Sequence, residues 1–274
     1  MFNKLYNPAL REQKKEVLTK DGTLTLYSAE FDECYHSTND GALQESLNKH
    51  VIPASMFFNK ESLTILDICF GLGYNTLATL YYYKQNFPNK SLHIISPELD
   101  KSLVQSLQDF KYPKEFEAFK PIIKAISQNF YYEDKNIKIE VLIGDAREAI
   151  KSIESKIDIL YQDAFSPKKN PALWSKEYFA DIKHIASSDI IITTYSSATP
   201  IRLAMYENGF KIYNPPKSSV RSGTIASLRE LNLEPIDMEL KKQRNPNAKA
   251  LSDEDFKVNW ILAYKSILIV LRYT

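Results

Sequence analysis

The chain of 274 residues contains few of the residue types that build disulfide frameworks and metal sites. Its two cysteines, Cys34 and Cys69, are far apart and form no C-x-x-C pair. The four histidines show no metal-ligand spacing. The sequence therefore predicts no bound metal and no disulfide framework, which is typical of a protein in a reducing cytoplasm.

Long apolar runs are also absent. The N-terminus shows no apolar core of a signal peptide. The most apolar segment near the C-terminus, Ile267–Leu271, is far shorter than the ~20 residues that a membrane-spanning helix needs. We therefore expect a cytoplasmic protein with no membrane partner. The net charge of +1 neither requires nor excludes a nucleic acid, because local patches matter more than the total.

Short apolar runs recur along the chain, and longer segments with helical patterns separate them. The first five runs are Leu63–Cys69, Leu92–Pro97, Ile137–Ile143, Ile157–Tyr161 and Asp189–Thr194. This alternation indicates βαβ units and a parallel sheet. Two further runs, Phe210–Tyr213 and Thr224–Leu228, are joined by a short connection, which favours antiparallel pairing between them.

Five parallel strands followed by such a pair are the layout of class I methyltransferases, although other doubly wound enzymes share the spacing. The fold class predicted is α/β and Rossmann-like, with a mostly parallel seven-stranded sheet and an antiparallel last strand. We expect an N-terminal extension over 1–58, with a hairpin at Thr23–Ser28 and a helix around Leu43–Val51. The methyltransferase domain is predicted over 59–230 with a helical insertion at 101–135, before a C-terminal extension (231–274) of unclear role.

The first predicted strand leads into a glycine-containing turn. Gly71 and Gly73 let the backbone turn sharply and approach a ligand at a helix N-terminus, and Asn75 follows in the same motif. The third glycine of a dinucleotide fingerprint is replaced by Thr76. Alone, this motif indicates a nucleotide-type ligand only weakly, and a tight strand-to-helix turn is the alternative.

Acidic residues follow the next predicted strands. Glu98 ends the second run, where a carboxylate accepts hydrogen bonds from ribose hydroxyls in nucleotide-binding folds. Asp145 follows the third run and is a candidate acceptor for an adenine amino group. Each acid alone is equally consistent with a helix N-terminus. Together with the glycine motif after the first run and Asp163 after the fourth run, these acids form an ordered set that predicts S-adenosylmethionine, which contains ribose and adenine but no pyrophosphate.

The segment from Asp163 to Trp174 has the composition of an active-site loop. It reads Asp163-Ala-Phe-Ser-Pro-Lys-Lys-Asn-Pro-Ala-Leu-Trp174 and directly follows an apolar run. Ligands of open α/β sheets bind outside the carboxyl ends of the strands. We therefore predict that Asp163 is catalytic and orients the acceptor group, and its role as a general base stays open. An aspartate that caps the next helix is the alternative.

Basic and aromatic residues near this loop are candidates for contacts with RNA. Lys168, Lys169 and Arg221 are predicted to contact phosphates, with solvated surface charge as the alternative. Phe165 and Tyr195 are candidates for stacking on an extruded base, with core packing as the alternative.

The chain resembles the methyltransferase domain of MnmC, the tRNA wobble-uridine modification enzyme, and its stand-alone relatives, from about residue 23 to about residue 230. The segments that resemble this family are Phe31-Asp-Glu-Cys-Tyr-His-Ser37, Gly41-Ala-Leu-Gln-Glu45, Phe70-Gly-Leu-Gly-Tyr-Asn75, Pro97-Glu98, Gly144-Asp145, the segment from Asp163 to Trp174, and Thr193-Thr-Tyr-Ser-Ser197. The segment from Asp163 to Trp174 is the most specific of these, and the glycine motif is generic.

This resemblance implies methyl transfer from S-adenosylmethionine to the amine of 5-aminomethyl-(2-thio)uridine in tRNA. The bifunctional relatives carry a second, FAD-dependent oxidase domain, for which we expect this chain to be too short; a separate enzyme would then supply the aminomethyl precursor. Two alternatives stay open, namely methyl or aminopropyl transfer to a small-molecule amine and a catalytically silent RNA-binding subunit.

Overall fold

The computed structural model describes residues 11–256, so the apolar segment Ile267–Leu271 lies outside the described residues. Eleven strands lie within this range. They are β1 (Lys14–Leu18), β2 (Leu24–Ser28), β3 (Glu33–Cys34), β4 (Ser62–Ile68), β5 (Ser91–Glu98), β6 (Tyr131–Glu133), β7 (Ile137–Ile143), β8 (Ile157–Gln162), β9 (Ala186–Thr194), β10 (Lys211–Tyr213) and β11 (Thr224–Ser227).

The α-helices in the same range are α1 (Ala42–Glu45), α2 (Ile52–Ser55), α3 (Tyr74–Asn86), α4 (Lys101–Ser106), α5 (Lys120–Asn129), α6 (Ala146–Lys151), α7 (Lys176–Ile185), α8 (Thr199–Glu207) and α9 (Met238–Arg244). A π-helical segment, Ser46–Val51, joins α1 to α2. The chain is therefore helical from Ala42 to Ser55, which includes the predicted helix around Leu43–Val51.

Eight strands form the central sheet, in the order β10-β11-β9-β8-β4-β5-β7-β6. The pairs β4–β5, β5–β7, β4–β8 and β8–β9 are parallel, and β11 is antiparallel to both of its neighbours. The α/β class and the antiparallel position of the last strand are confirmed. After β7 the chain returns to the other side of β4, and the carboxyl ends of β4, β5, β7 and β8 therefore meet at this switch point.

The predicted number of seven strands was wrong, because β6 adds an eighth strand at the edge beside β7. Its three residues, Tyr131–Glu133, are too few to produce an alternating pattern of apolar side chains. The segment 101–135 is helical only in part, since it contains α4, two 3₁₀ segments (Leu107–Asp109 and Lys114–Phe119) and α5 before this strand begins.

The N-terminal segment contains a separate three-stranded sheet in the order β1-β2-β3. The segment Thr23–Ser28, predicted as a short hairpin, instead contains the single strand β2, which pairs antiparallel with β1 and β3. The sequence did not reveal β1, because its residues Lys14–Leu18 carry mostly charged side chains and none of them is buried.

Two groups of buried side chains fill the two faces of the central sheet. Neighbouring residues of one strand, such as Ile65 and Leu66, belong to different groups because successive strand residues point to opposite faces. The first group includes side chains from α3 and from the insertion, among them Phe116. The second group includes α7, α8 and, from the segment after residue 230, Met238.

Candidate active site

The exits of four parallel strands line one cavity with a volume of about 1130 Å³. Gly71, Glu98, Asp145 and Asp163, which follow β4, β5, β7 and β8, all lie on its wall. The other predicted site residues on the wall are Asn75, Phe165, Lys168, Lys169, Tyr195 and Arg221. Gly73 is not a lining residue and instead precedes α3 as its N-cap.

Three alternate residues in the turn after β4 have backbone angles in the left-handed region. The φ angles are 67° at Cys69, 53° at Gly71 and 71° at Gly73. A Cβ atom on Gly71 would lie 3.0 Å from Cδ1 of Tyr35, so a larger residue would press against the N-terminal segment. The positive φ angle at Cys69 was not predictable from the sequence, since a non-glycine residue rarely adopts this conformation.

Glu98 is buried at the end of β5, and two backbone groups hold its carboxylate. Its Oε2 accepts the N–H of Gly71 at 2.8 Å, and its Oε1 accepts the N–H of Asp100 at 2.8 Å. Burial raises the pKa of Glu98, and these two hydrogen bonds oppose the increase. A carboxylate has about four lone-pair sites, so Glu98 retains acceptor capacity for hydroxyl groups in the cavity.

Asp145 caps α6, because its Oδ1 accepts the N–H of Arg147 at 2.8 Å. Asp145 is therefore a helix N-cap, as the alternative interpretation of the sequence predicted, and it also lines the cavity. Its side chain is exposed. This end of the cavity therefore has hydrogen-bond donors, which are the backbone N–H groups at the start of α6, and an acceptor, which is the exposed carboxylate of Asp145.

Asp163 lies directly after β8, and polar side chains hold both of its carboxylate oxygens. Its Oδ2 accepts the Nδ2–H of Asn75 at 2.8 Å, and its Oδ1 lies 3.3 Å from Nε2 of His50. Burial acts to raise the pKa of Asp163, but the charge of His50 and the hydrogen bonds around it hold the pKa below its ordinary value. Asp163 is therefore an ionised acceptor on the cavity wall.

Asn75 lies between two carboxyl groups. Its Nδ2 donates to Asp163 and, at 3.3 Å, to Oδ1 of Asp67. Asp67 is fully buried near the end of β4 and also accepts the hydroxyl of Thr76 at 2.9 Å. Burial raises the pKa of Asp67 to about 7, against the effect of the Thr76 hydrogen bond. The structure thus places Asn75, a predicted cofactor ligand, against the predicted catalytic residue.

His50 is a residue that sequence reasoning missed. Its side chain is fully buried in the π-helical segment before α2. Its Nδ1 lies 3.0 Å from Oγ1 of Thr193 in β9, and its Nε2 lies beside Asp163. His50 and Thr193 are 143 residues apart, so no local spacing links them.

The loop after Asp163 is joined to the N-terminal segment. The ring of Phe165 stacks on Phe31 with centroids 4.4 Å apart. Glu33 accepts both the backbone N–H and the hydroxyl of Ser166. Lys169 lies 2.9 Å from Asp32, which gives this predicted phosphate ligand an acidic partner. The segment before α1 therefore forms part of the cavity wall together with this loop.

Two other predicted RNA ligands, Lys168 and Arg221, are exposed at the cavity and form no ion pair within residues 11–256. The hydroxyl of Tyr195 donates to the backbone oxygen of Ala164 at 2.9 Å, and the ring packs against Trp174. Trp174 itself is fully buried, as core packing requires.

The segment after α9 completes the wall near Asp145. Phe256 is buried and lines the cavity. Both carboxylate oxygens of Asp253 accept from Nη1 of Arg147, at 2.8 and 2.7 Å. Ser175 donates to Asp253 at 2.6 Å. These contacts were not predictable, since no sequence motif links residues near 147 and 253.

Within the described part of the chain, no group of three or more histidine, cysteine or acidic side chains is arranged to hold a metal ion. No helix among residues 11–256 combines the length and the apolar composition needed to cross a membrane.

Comparison with known proteins gave consistent matches. A family model for S-adenosyl-L-methionine-dependent methyltransferases matches residues 110–230. The crystal structure of MNMC2 from Aquifex aeolicus is similar with a TM-score of 0.79 and 32% identity, over 92% of this chain and 82% of that chain. An uncharacterized protein of Methanocaldococcus jannaschii is 30% identical over 229 residues, which are 82% of this chain.

The tRNA 5-methylaminomethyl-2-thiouridine biosynthesis bifunctional protein MnmC of Leptospira interrogans is 28% identical over 217 residues, which are 73% of this chain. The matched part is 33% of that MnmC protein and 62% of the Methanocaldococcus protein. This chain therefore spans about a third of the length of the bifunctional relative.

Proposed function

The chain belongs to the S-adenosylmethionine-dependent methyltransferase family of MNMC2 and the MnmC methyltransferase domain, and we propose that it methylates 5-aminomethyl-(2-thio)uridine at the tRNA wobble position. The product is 5-methylaminomethyl-(2-thio)uridine. The observation that carries this proposal is the ionised, half-buried Asp163 at the strand exit, fixed by Asn75 and His50 on the wall of the cavity. The choice of nucleoside follows the MnmC relatives, which are tRNA 5-methylaminomethyl-2-thiouridine biosynthesis proteins.

The residues of the cavity fit S-adenosylmethionine. Glu98 retains acceptor sites for the ribose hydroxyls after its two backbone hydrogen bonds, and the left-handed turn at Gly71 brings the main chain close without a Cβ atom. Asp145 is an exposed acceptor for the adenine amino group on the same wall. When bound, the cofactor supplies an electrophilic methyl group on a sulfonium.

The acceptor amine has to lose a proton before its lone pair can attack. An alkyl amine such as that of lysine has a pKa near ~10.4, so a neutral form at pH 7 costs roughly 4–5 kcal/mol. The aminomethyl group on uracil is less basic, which lowers this cost. The new bond joins the amine nitrogen to the methyl carbon, the carbon–sulfur bond breaks with its electron pair on sulfur, and one proton is released per turnover.

Asp163 attracts the ammonium form of the acceptor and aims its nitrogen into the cavity. A carboxylate also stabilises the ammonium charge, which opposes deprotonation. Orientation therefore contributes more than basicity to the proposed role of Asp163. Its fixed position, with one oxygen held by Asn75, supports such an orienting role.

The cavity mouth supports a nucleic-acid acceptor over a small amine. Lys168 and Arg221 are exposed there without acidic partners in the described residues, and phosphates are their natural ligands. The ring of Phe165 and the hydroxyl of Tyr195 already contact other residues of the protein. A nucleic-acid base can therefore stack on these residues only at a ring face that is exposed.

The direct test is incubation with S-adenosylmethionine labelled in its methyl group and tRNA that carries aminomethyl-uridine, followed by nucleoside analysis. We expect label in the methylaminomethyl nucleoside, no label on tRNA without the aminomethyl group, and no label with the Asp163→Ala variant. Label on putrescine or spermidine instead would assign the small-amine activity. Binding of tRNA without binding of the donor would identify a silent RNA-binding subunit.

A further inference from the structure

A buried histidine lies behind the proposed catalytic carboxylate. His50 has no exposed side-chain surface, so it cannot contact an acceptor in the cavity. Its Nε2 is buried, lies 3.3 Å from Oδ1 of Asp163 and has no aligned hydrogen-bond partner among the described residues. A buried polar atom without an aligned partner is costly unless an electrostatic contact compensates for it, and here the carboxylate is that contact.

We infer that His50 is a positioning residue that aims the Asp163 carboxylate at the acceptor amine and keeps it ionised during methyl transfer. This inference rests on the proposed function for the identity of the acceptor, but not for the effect of His50 on Asp163. Asn75 holds the other carboxylate oxygen at 2.8 Å, so the two side chains fix Asp163 from two directions.

The hydroxyl of Thr193 holds the other ring nitrogen of His50. An ionised Asp163 only accepts, so Nε2 of His50 carries the hydrogen that faces it. Nδ1 lies 3.0 Å from Oγ1 of Thr193, and a hydroxyl can either donate a hydrogen bond or accept one. Thr193 and Asp163 therefore fix the imidazole at its two nitrogens.

The groups around His50 come from several elements. Asp163 follows β8, Asp67 lies in β4, and His36 follows β3; all three interact electrostatically with the imidazole. The ring of Tyr161 lies 5.6 Å from the His50 ring. Asp163 and Asp67 would repel each other if both were ionised, so a hydrogen donor at His50 favours the state in which the charge resides on Asp163.

A titration that requires no substrate tests the effect on Asp163. The carboxyl carbons of aspartate are labelled with ¹³C, and the Asp163 signal is assigned by its loss in Asp163→Asn. In His50→Gln, which keeps an N–H donor but removes the charge, we expect the titration midpoint of this signal to rise by about 1 to 3 pH units. The exposed His184 provides a matched control, and His184→Gln should leave the midpoint unchanged.

The pH dependence of turnover separates positioning from a merely structural role. At the measured Asp163 midpoint of His50→Gln, this variant should lose about twofold more of its kcat, relative to the wild type, than at pH 8.5, because half of its Asp163 is protonated at that midpoint. His50→Leu, which also removes the donor, should lose kcat at both pH values. Affinity for S-adenosylhomocysteine should stay at the wild-type level in each variant.

An unchanged Asp163 midpoint in His50→Gln, or equal losses of kcat at both pH values, would overturn the inference. If His50→Leu does not fold, Thr193→Val replaces it and should raise the same midpoint by a smaller amount. A wild-type protein that is inactive on aminomethyl-uridine tRNA would refute the proposed function, while the titration would still decide the role of His50.

Discussion

The carboxylate of Glu98 accepts the backbone N–H of Gly71 at 2.8 Å, across the exits of two neighbouring parallel strands. The same side chain also accepts the N–H of Asp100. Glu98 therefore fixes the turn after β4 relative to the end of β5, in addition to its proposed contact with ribose. A substitution at Glu98 should affect donor binding through both roles.

We predict that Glu98→Gln weakens binding of S-adenosylmethionine roughly 10- to 100-fold, because hydrogen bonds to a charged acceptor contribute about 1.5–3 kcal/mol. The amide can accept one backbone N–H, but its NH₂ group faces the other. Titration calorimetry measures this change. Glu148→Gln is a matched control, since Glu148 lines the same cavity but is exposed and pairs with Lys151.

A donor affinity in Glu98→Gln within about twofold of the wild type would show that the carboxylate charge contributes little to binding. With saturating donor, we expect kcat of this variant to remain near the wild-type level, because a ribose contact is made equally in the ground and transition states.

The wall formed by the C-terminal part of the described chain gives a second prediction. Phe256→Ala should weaken donor binding roughly tenfold, because the variant removes apolar surface from the wall of the cavity. Phe256→Leu keeps an apolar side chain there and should retain most of the affinity. Calorimetry with S-adenosylhomocysteine checks both variants, and an unaffected Phe256→Ala would exclude Phe256 from the donor site.

The strand exits were predictable because each lies at the end of an apolar run. The rule that ligands bind at the carboxyl ends of parallel strands then groups Glu98, Asp145 and Asp163 from the sequence alone. The structure brings these residues to one cavity. Their roles in binding and catalysis remain predictions that the substitutions above address.

The polar groups behind Asp163 were not predictable from spacing. His50 belongs to a helical segment far from β8 and β9 in the sequence, and only the packing of that segment against the sheet brings it to Asp163. Asp67 lies four residues before Gly71 in the sequence, but its elevated pKa arises from burial, which a single sequence does not show. The edge strand β6 was too short to give a pattern.

The basic residues at the cavity mouth give a third prediction, which depends on their partners. Lys168→Ala and Arg221→Ala should each weaken tRNA binding and reduce the slope of log K against log salt by about one unit. Lys169→Ala should have a smaller effect, because Lys169 is already paired with Asp32 at 2.9 Å. Binding measured at several salt concentrations gives these slopes.

Lys124→Ala is the control for these charge changes. Lys124 is exposed on α5, and it does not line the cavity. It should leave the salt slope unchanged, and donor affinity should be the same in all four variants. Equal slopes in Lys168→Ala, Arg221→Ala and the wild type would assign both charges to ordinary solvated surface.

The last prediction concerns the pH dependence of stability at Asp67. Burial raises the pKa of Asp67 to about 7 in the folded protein, above its ordinary value of 3.8. The folded state therefore binds more protons than the unfolded state between these values. The free energy of unfolding decreases with rising pH across this window, and the contribution from protonated Asp67 is lost above about pH 7.

Asp67→Asn removes this dependence and keeps the shape of the side chain. From pH 5 to pH 7 the free energy of unfolding of the wild type should fall relative to that of the variant, because Asp67 is ionised in the unfolded state and still protonated in the folded state. Between pH 5 and pH 8 the difference should change by on the order of 2–3 kcal/mol in favour of the variant, and it should level off above about pH 7. Urea denaturation at several pH values between these limits measures the difference.

Asp134→Asn provides the matched control, because Asp134 is exposed and its pKa is held below the ordinary value by backbone hydrogen bonds from Asn136 and Ile137 despite the opposing effect of partial burial. Both its folded and its unfolded carboxylates are ionised from pH 5 to pH 8, so its stability difference from the wild type should be constant. A constant difference for Asp67→Asn as well would mean that Asp67 keeps one protonation state throughout. Its carboxyl group would then not exchange a proton near neutral pH beside Asn75 and Asp163.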